Sequence, residues 1–267
     1  MRNPSKYYFL IALIFISSFY GCKKVIDVNL KNADSQIVIT GEINNRHGPY
    51  KVNISRSVNF TSDNIFPPIS NATVVISGNG LIDTLSENEP GSYFTHIIEG
   101  KPGQSYSLNV AIDGKIFTAT SVMPQPVRID SLTFLEGNTD NHIYPVVNFQ
   151  DPRGVANYYQ FIEFANGERF KNGRGNSVFS DRLSDGRYIS TVLYDDSTDI
   201  KRGSILTVQM NCVDASVYNY LQELLQISGG GGFSSPAPDN PTSNISGGAL
   251  GYFSANTIAT KTVELPH

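Results

Sequence analysis

Apolar and polar residues alternate with a period of two along much of the chain. In the segment 106–112, Tyr, Leu, Val and Ile occupy every second position, with polar or small residues between them. Because successive side chains of a strand point to opposite faces of a sheet, this alternation predicts a half-buried β-strand. The pair Asp113-Gly114 follows it and predicts a tight hairpin turn into another strand over 116–121.

The same pattern predicts seven short strands in the first half of the chain, at a spacing typical of a compact β-sandwich. They cover 36–43, 50–55, 72–77, 81–85, 92–98, 106–112 and 116–121. The segments 71–76, 91–93 and 103–108 resemble parts of the immunoglobulin-like and transthyretin-like modules of exported bacterial proteins. We therefore expect a mainly β protein that begins with an immunoglobulin-like or transthyretin-like β-sandwich over 36–123.

Two prolines, Pro124 and Pro126, interrupt this pattern, and we place a domain boundary after residue 123 because proline cannot donate to a strand ladder. A second β-rich module is expected over 124–267, either as a second sandwich or as a continuation of the first sheet. Its predicted strands are 127–135, 143–150, 157–165, 187–194 and 204–212.

One helix is predicted near 214–228. Apolar residues recur at helical spacing from Val217 to Leu225, and Asp214 is placed to cap the first turn. The segment 229–255 that follows is rich in Gly, Ser, Pro and Asn, yet it also contains several aromatic and aliphatic residues. We expect a long loop that docks on the body of the protein, followed by a strand near 256–265.

The N-terminus has the order of residues that is typical of a secretory signal. The basic residues Arg2 and Lys6 are followed by the apolar run 7–16 and then by Ser17-Ser18-Phe19-Tyr20-Gly21, which places the small residue Gly21 directly before Cys22. The run is half as long as the ~20 residues that a membrane-spanning helix needs. This arrangement resembles a bacterial lipoprotein signal, in which the cysteine sulfur takes a diacylglyceryl group.

We therefore predict a signal peptide over 1–21, cleavage between Gly21 and Cys22, lipidation of Cys22 with fatty acids such as palmitate, and a tether over 22–35. A plain cleaved signal and an uncleaved anchor are the alternatives. A diacylglyceryl group holds a protein stably on a membrane, whereas a single acyl chain does not. The predicted location is the outer membrane. Lysines rather than acidic residues follow Cys22, so the periplasmic and cell-surface faces both stay open.

Charge and cysteine content exclude some classes of function. The formal net charge is −4 and there is no basic run, which argues against binding of nucleic acid. If Cys22 is acylated, Cys212 is the one remaining cysteine and no intramolecular disulfide forms. Cys212 shares a strand face with apolar residues, so we interpret it as a buried filler, with a reactive thiol as the alternative.

A motif near the C-terminus connects the chain with a known family. The segment 244–253 reads Asn-Ile-Ser-Gly-Gly-Ala-Leu-Gly-Tyr-Phe and follows Asn240-Pro241. Together with the segments 39–43, 149–152 and 157–159, it resembles a Bacteroidota lipoprotein family designated domain of unknown function 4249. The resemblance covers nearly all the mature chain. It implies an outer-membrane lipoprotein near TonB-dependent receptors, with an accessory role in nutrient uptake and no known catalytic residues.

This motif supplies the candidate partner-contact residues. They are Asn244, Gly247, Gly248, Tyr252 and Phe253. For the glycines, the alternative is a structural role in turning the backbone tightly.

No catalytic or metal-binding motif is recognisable, and we predict no metal and no cofactor. The cluster Asp195, Asp196 and Asp199 has carboxylates that suit calcium but lacks the glycine and terminal glutamate of an EF-hand, which favours a solvated loop. The histidines have no zinc-motif spacing, and we expect surface or turn positions for them. They are His47, His96, His142 and His267.

The leading functional hypothesis is a non-enzymatic binding or accessory subunit that is anchored to the outer membrane by lipid and cooperates with a TonB-dependent receptor. Its ligand, whether a small molecule, peptide or glycan, stays open. One alternative is an exported hydrolase or glycan-active enzyme whose site is assembled between the two modules. Another is an adhesin-like structural protein of the envelope.

Overall fold

The computed structural model describes residues 35–58, 65–136, 143–170, 176–194, 200, 202–228 and 240–265. Residues Ser35–His267 form one compact unit. The predicted signal peptide, its cleavage site, the lipidation site Cys22 and nearly all of the tether lie outside the described residues.

The described residues form a mainly β protein with several sheets and one helix, as the alternating pattern predicts. The first half contains β1 (Ile37–Asn44), β2 (Lys51–Arg56), β3 (Thr73–Gly78), β4 (Leu81–Thr84), β5 (Ser86–Glu89), β6 (Ser92–Phe94), β7 (Ser105–Ile112) and β8 (Lys115–Val122). The second half contains β9 (Ser131–Glu136), β10 (Ile143–Gln150), β11 (Tyr158–Ala165), β12 (Glu168–Arg169), β13 (Asn176–Ser180), β14 (Tyr188–Val192), β15 (Ile205–Val213), α1 (Ala215–Ser228) and β16 (Leu250–Glu264).

Two sheets enclose a first core. One is the four-stranded sheet β4-β3-β7-β8, and the other is the β5-β6-β2-β1-β16 part of a nine-stranded sheet, called here the long sheet. Their inner faces pack apolar side chains such as Ile39, Val52, Ile76 and Leu108 against one another. Buried residues alternate with less buried ones along β1 and β7, and this two-layer burial is what gives the alternation its period of two.

A second core lies between the remaining strands. The three-stranded sheet β14-β10-β9 faces the other part of the long sheet, in which β15 pairs with β11 and β11 pairs with β12 and β13. Phe149 of β10 packs against Tyr159 and Phe161 of β11, with ring centroids 4.8 and 6.2 Å apart. The second half of the protein is therefore also a sandwich.

Strand β16 belongs to both sandwiches. Its first part, from Leu250 to Asn256, pairs in parallel with β1, and its second part, from Thr257 to Glu264, pairs antiparallel with β15. Phe253 consequently lies in the first core, whereas Leu265 lies in the second. The first sandwich thus contains residues from far beyond the predicted boundary after residue 123.

Several predicted boundaries differ from the observed ones. The predicted loop over 229–255 gives way to strand at Leu250, because pairing with β1 satisfies the backbone there. The strand predicted over 92–98 ends at Phe94, and the one predicted over 127–135 begins at Ser131. The pattern also misses β5, β12 and β13, which are short or polar and show little alternation of burial.

The predicted helix is confirmed as α1. Its buried residues Val217, Tyr220 and Leu221 pack beside the long sheet, where the Tyr220 ring lies 5.0 Å from that of Tyr252 on β16. Asp214 caps the first turn, since its Oδ1 accepts the N–H of Val217 at 2.9 Å. In the part of the chain that the structure describes, no helix has the length and apolar character needed to cross a bilayer.

Candidate functional site

The C-terminal motif forms a connected structural element beside β16. The side chain of Asn244 acts as a strand partner for Phe253, because its Nδ2 donates to the Phe253 carbonyl at 2.8 Å and its Oδ1 accepts the Phe253 N–H at 2.9 Å. The Phe253 ring is fully buried in the first core. Both side chains therefore have a structural role, and partner contact stays a prediction for these two residues.

The glycines of the motif differ in their surroundings. Gly247 has φ +93°, and a Cβ there would lie 2.6 Å from the carbonyl oxygen of Ile116. Gly251 has φ +97° and approaches Ile39 still more closely. Both positions therefore require glycine for backbone geometry. Gly248 also has a positive φ, but it is exposed and faces open space. Partner contact stays a prediction for Gly247 and Gly248.

Tyr252, the remaining candidate, lines a polar groove on the outer face of the long sheet. The groove has a volume of about 340 Å³ and lies over the outward-facing residues of β1 and β2. It is lined by Thr40, Gly41, Glu42, Asn44, Pro49, Tyr50, Lys51, Asn53 and Tyr252. The alternation that buries one face of β1 and β2 thus presents their polar side chains on the other.

The groove offers hydrogen-bonding groups of both charges. Burial raises the pKa of Tyr252 to about 12, the Glu42 carboxylate adds to this effect, and Arg169 opposes it, so the phenol is protonated at neutral pH. The ammonium of Lys51 lies 5.5 Å from the centroid of the Phe94 ring. The lining contains no histidine and no cysteine among the described residues. These groups can form hydrogen bonds with a polar ligand.

A second candidate site is a cluster of three carboxylates at one end of the second sandwich. Oxygen atoms of Asp151, Asp181 and Asp185 lie within 4.8 Å of one another. Asp151 directly follows β10 and Asp181 directly follows β13, so the two strand ends bring these side chains together. Asp151 is 1% and Asp181 is 3% exposed, whereas Asp185 faces solvent.

Hydrogen bonds hold the three carboxylates in place. The Tyr159 hydroxyl donates to Asp151 Oδ1 at 2.5 Å, and the Gly186 N–H donates to Asp151 Oδ2 at 2.9 Å. The Asn157 N–H donates to Asp181 at 2.9 Å, and the Gly154 N–H donates to Asp185 at 2.7 Å. Among the described residues, no lysine or arginine forms an ion pair with the cluster.

The effect of the neighbouring charges is seen in the pKa of Asp181. Burial raises the pKa of this carboxyl above its ordinary value, the Asn157 N–H opposes the rise, and the neighbouring carboxylates of Asp151 and Asp185 add to it. Buried like charges at this distance favour protonation or a bound cation.

Sequence reasoning missed this cluster. Asp181 and Asp185 lie 30 and 34 positions after Asp151 in the chain, and no known motif has this spacing. The one available signal was the pair Asp151-Pro152, which belongs to a segment of the family resemblance. The aspartates 195, 196 and 199, which the sequence suggested for calcium, lie outside the described residues.

The described histidines and Cys212 lie outside the groove and the carboxylate cluster. His47 and His96 line a second depression, where their Nδ1 atoms lie 3.2 Å from Glu99 and 3.3 Å from Asp83, respectively. The other two histidines fall outside the described residues. Cys212 is 2% exposed and burial raises the pKa of its thiol, which confirms the buried-filler interpretation.

Fold and sites together define a two-sandwich, mainly β protein with a polar surface groove and a carboxylate cluster. A family model described as domain of unknown function (DUF4249) matches residues 23–262, and the chain belongs to this family. The family prediction is therefore confirmed. No curated protein matches the chain.

Proposed function

We propose that the protein is an outer-membrane lipoprotein and serves as a non-enzymatic accessory or binding subunit of TonB-dependent nutrient uptake. The observation that carries the proposal is the extent of the family match, which begins at residue 23, directly after Cys22, and continues to residue 262. The family region thus follows the predicted acylation site without a gap. A diacylglyceryl group at Cys22 would hold the whole compact unit at a membrane.

The polar groove supports the binding part of the proposal. It lies mainly on the paired strands β1 and β2, and Glu42, Lys51 and Tyr252 are among the residues that line it. Preorganised polar groups on a rigid element favour selective binding, because little conformational entropy is lost when a ligand docks.

The anchor is tested by replacing each cysteine in turn. Wild type and the Cys22→Ala variant are expressed in a host that processes lipoproteins and are labelled with an alkyne-bearing fatty acid. We expect the label and membrane association in the wild type and the loss of both in Cys22→Ala. Cys212→Ala is the matched control and should keep both, because Cys212 lies in the second core. Labelling of the Cys22→Ala variant would contradict the proposal.

The partner is tested with the anchored full chain as bait. Cells are treated with a crosslinker and extracted gently, and the captured proteins are identified by mass spectrometry. We expect a TonB-dependent receptor to be enriched over a Cys22→Ala bait expressed at the same level. Absence of any outer-membrane receptor from the crosslinked material would refute the accessory role.

The groove is tested by placing a photo-crosslinking residue at Asn53, which is exposed and lines the groove. The matched control carries the same residue at Ile116, which is 63% exposed on the four-stranded sheet. We expect adducts from the groove position that the control position does not form. Identical adduct patterns from both positions would argue against the groove as a binding surface.

A further inference from the structure

Hydrogen bonds, and no described ion pair, compensate the negative charges of the three carboxylates at the end of the second sandwich. Asp151 and Asp181 are almost fully buried, and their oxygens lie within 4.8 Å of each other and of Asp185. The interactions that hold them come from backbone N–H groups and one hydroxyl, and no described basic side chain pairs with them. Buried charges in proteins are normally paired with opposite charges or coordinate metal ions.

A separate observation concerns Asn157. This residue is 6% exposed, and its side-chain oxygen Oδ1 is buried without a hydrogen-bond partner. Buried polar atoms nearly always have a partner, so this carbonyl oxygen is available to a water molecule or a cation. An amide oxygen can accept a hydrogen bond or bind a cation, and it cannot donate.

Strand register places the Asn157 side chain on the same face as the carboxylate of Asp181. Tyr159 of β11 pairs with Phe179 of β13. Two positions further toward the end of this strand pair, Asn157 lies opposite Asp181. The Asp181 N–H donates to the Asn157 carbonyl at 3.2 Å, which confirms that the two residues lie opposite each other. The side chains of directly opposite residues point to the same face of a sheet. The Tyr159 hydroxyl reaches Asp151 from that face.

We propose that Asp151, Asp181, Asp185 and the side-chain oxygen of Asn157 form a calcium site. All four groups offer oxygen, which is the ligand that calcium prefers, and none offers the nitrogen or sulfur typical of zinc and copper sites. Calcium takes six to eight oxygens in flexible geometry, so water completes the shell on the exposed side of Asp185. The assignment goes beyond the proposed function and does not depend on it.

A calcium ion bound at this site would hold together two loops of the second sandwich. Asp151 and Asn157 lie at the two ends of the loop between β10 and β11, and Asp181 and Asp185 lie between β13 and β14. An ion held by both loops therefore links the three-stranded sheet to the long sheet at this end. We expect the ion to stabilise the folded state, because it binds the folded chain and not the unfolded one.

The test uses the full chain, stripped with a chelator and returned to chelator-free buffer. Calcium binding is measured by isothermal titration calorimetry, and thermal unfolding is followed by circular dichroism at increasing calcium concentrations. We expect saturable binding of one calcium ion per chain and a melting temperature that rises with calcium concentration. Magnesium should have a weaker effect, because it demands a stricter octahedral geometry.

Matched variants separate the site from general charge effects. Asp185→Asn should weaken calcium binding at least tenfold while leaving the fold intact, since Asp185 is exposed. Asp181→Asn should abolish the calcium-dependent rise in melting temperature. The control is Asp113→Asn, which removes one negative charge at the β7–β8 turn and should bind calcium as the wild type does.

Three results would overturn the proposal. They are no saturable binding at millimolar calcium, unchanged binding in Asp185→Asn, and an equal stabilisation by magnesium or by sodium at matched ionic strength. A calcium-dependent melting temperature that is lost in Asp185→Asn and kept in Asp113→Asn would support it.

Discussion

At the scale of single residues, Asp83 shows how one buried carboxylate shapes the backbone around it. The N–H groups of His96, Ile97 and Ile98 all donate to its Oδ2, at 2.8, 2.8 and 3.0 Å. Burial alone would raise the pKa of Asp83, but these N–H groups and the His96 ring lower it below its ordinary value. β6 ends at Phe94: the Thr95 N–H still donates to the Tyr50 carbonyl, and the next three N–H groups turn toward Asp83.

The first prediction concerns the Asp83→Asn variant, which should lose about 1.5–3 kcal/mol of stability at pH 7 because a neutral amide accepts these hydrogen bonds less strongly. The pKa of Asp83 is lowered in the folded state. Its contribution is therefore complete above the unfolded-state value of about 3.9 and disappears as the pH falls through the lower, folded-state value. Urea unfolding at pH 7 and near pH 3 should show the variant approaching wild type in acid.

The matched control for this prediction is Asp113→Asn, in an exposed turn where asparagine tolerates the positive φ of 49°. It should change stability little at either pH. A constant difference between Asp83→Asn and wild type across this range would contradict the explanation.

The second prediction compares two glycines that share a positive φ. Gly251→Ala should cost about 2–4 kcal/mol, because strain at φ +97° adds to a clash of the new Cβ with the Ile39 carbonyl oxygen, 2.0 Å away. Gly248→Ala should cost only about 1–2 kcal/mol, because open space surrounds that position. Denaturant unfolding of both variants measures the difference, and equal losses would show that the close approach to β1 does not matter.

At the scale of elements, the cap of α1 connects three parts of the fold. Asp214 Oδ1 accepts the Val217 N–H, while its Oδ2 accepts the hydroxyl of Ser121 on β8. Ser121 in turn accepts the N–H of Ala255 on β16 at 2.8 Å. The sequence predicted the cap from the position of Asp214 before an apolar helical pattern. Nothing in the sequence indicated that Ser121, 93 positions from Asp214, contacts this cap.

The third prediction uses this connection. Asp214→Ala should cost about 1–2 kcal/mol through the lost cap, and Ser121→Ala should cost about 1–3 kcal/mol because it leaves the buried Ala255 N–H without its acceptor. Because the two side chains contact each other, the double variant should lose less than the sum of the single variants, with a coupling of about 0.5 kcal/mol or more. Strict additivity in urea unfolding would argue against the hydrogen bond between them.

At the scale of the whole molecule, β16 makes the two sandwiches dependent on each other. Ile245, Ala249, Phe253 and Ala255 all belong to the first core, although the rest of that core ends at Met123. Without them, β1 would become an edge strand with an unfilled inner face. The fourth prediction is therefore that a fragment of residues 36–123 does not fold by itself.

Joining residues 240–256 to this fragment through a flexible Gly/Ser linker should restore a folded sandwich, because it returns the partner of β1 and the missing core residues. Circular dichroism and dispersed amide signals in NMR spectra measure the outcome. The matched control carries Phe253→Asp in the added segment and should stay unfolded. A stable fragment without the extension would show that the first sandwich is independent of β16.

The amino-acid pattern anticipated most of the described strands, the helix α1 and the family, because each of these depends on neighbouring residues. Alternation with period two follows from the pleat of a strand, and turn residues such as Asp113-Gly114 act over a few positions. Polar or very short strands such as β5 and β12 carry little alternation. Their place in the fold depends on the strand beside them rather than on their own residues.

The tertiary structure alone decided the long-range pairings and the sites that depend on them. The parallel pairing of β1 with β16 joins residues more than 200 positions apart, and nothing local in either strand specifies its partner. The same holds for the cluster of Asp151, Asp181 and Asp185, which two strand ends bring together. Local patterns determine which residues face a core, whereas the choice of partner depends on the burial and hydrogen bonding that only the complete fold provides.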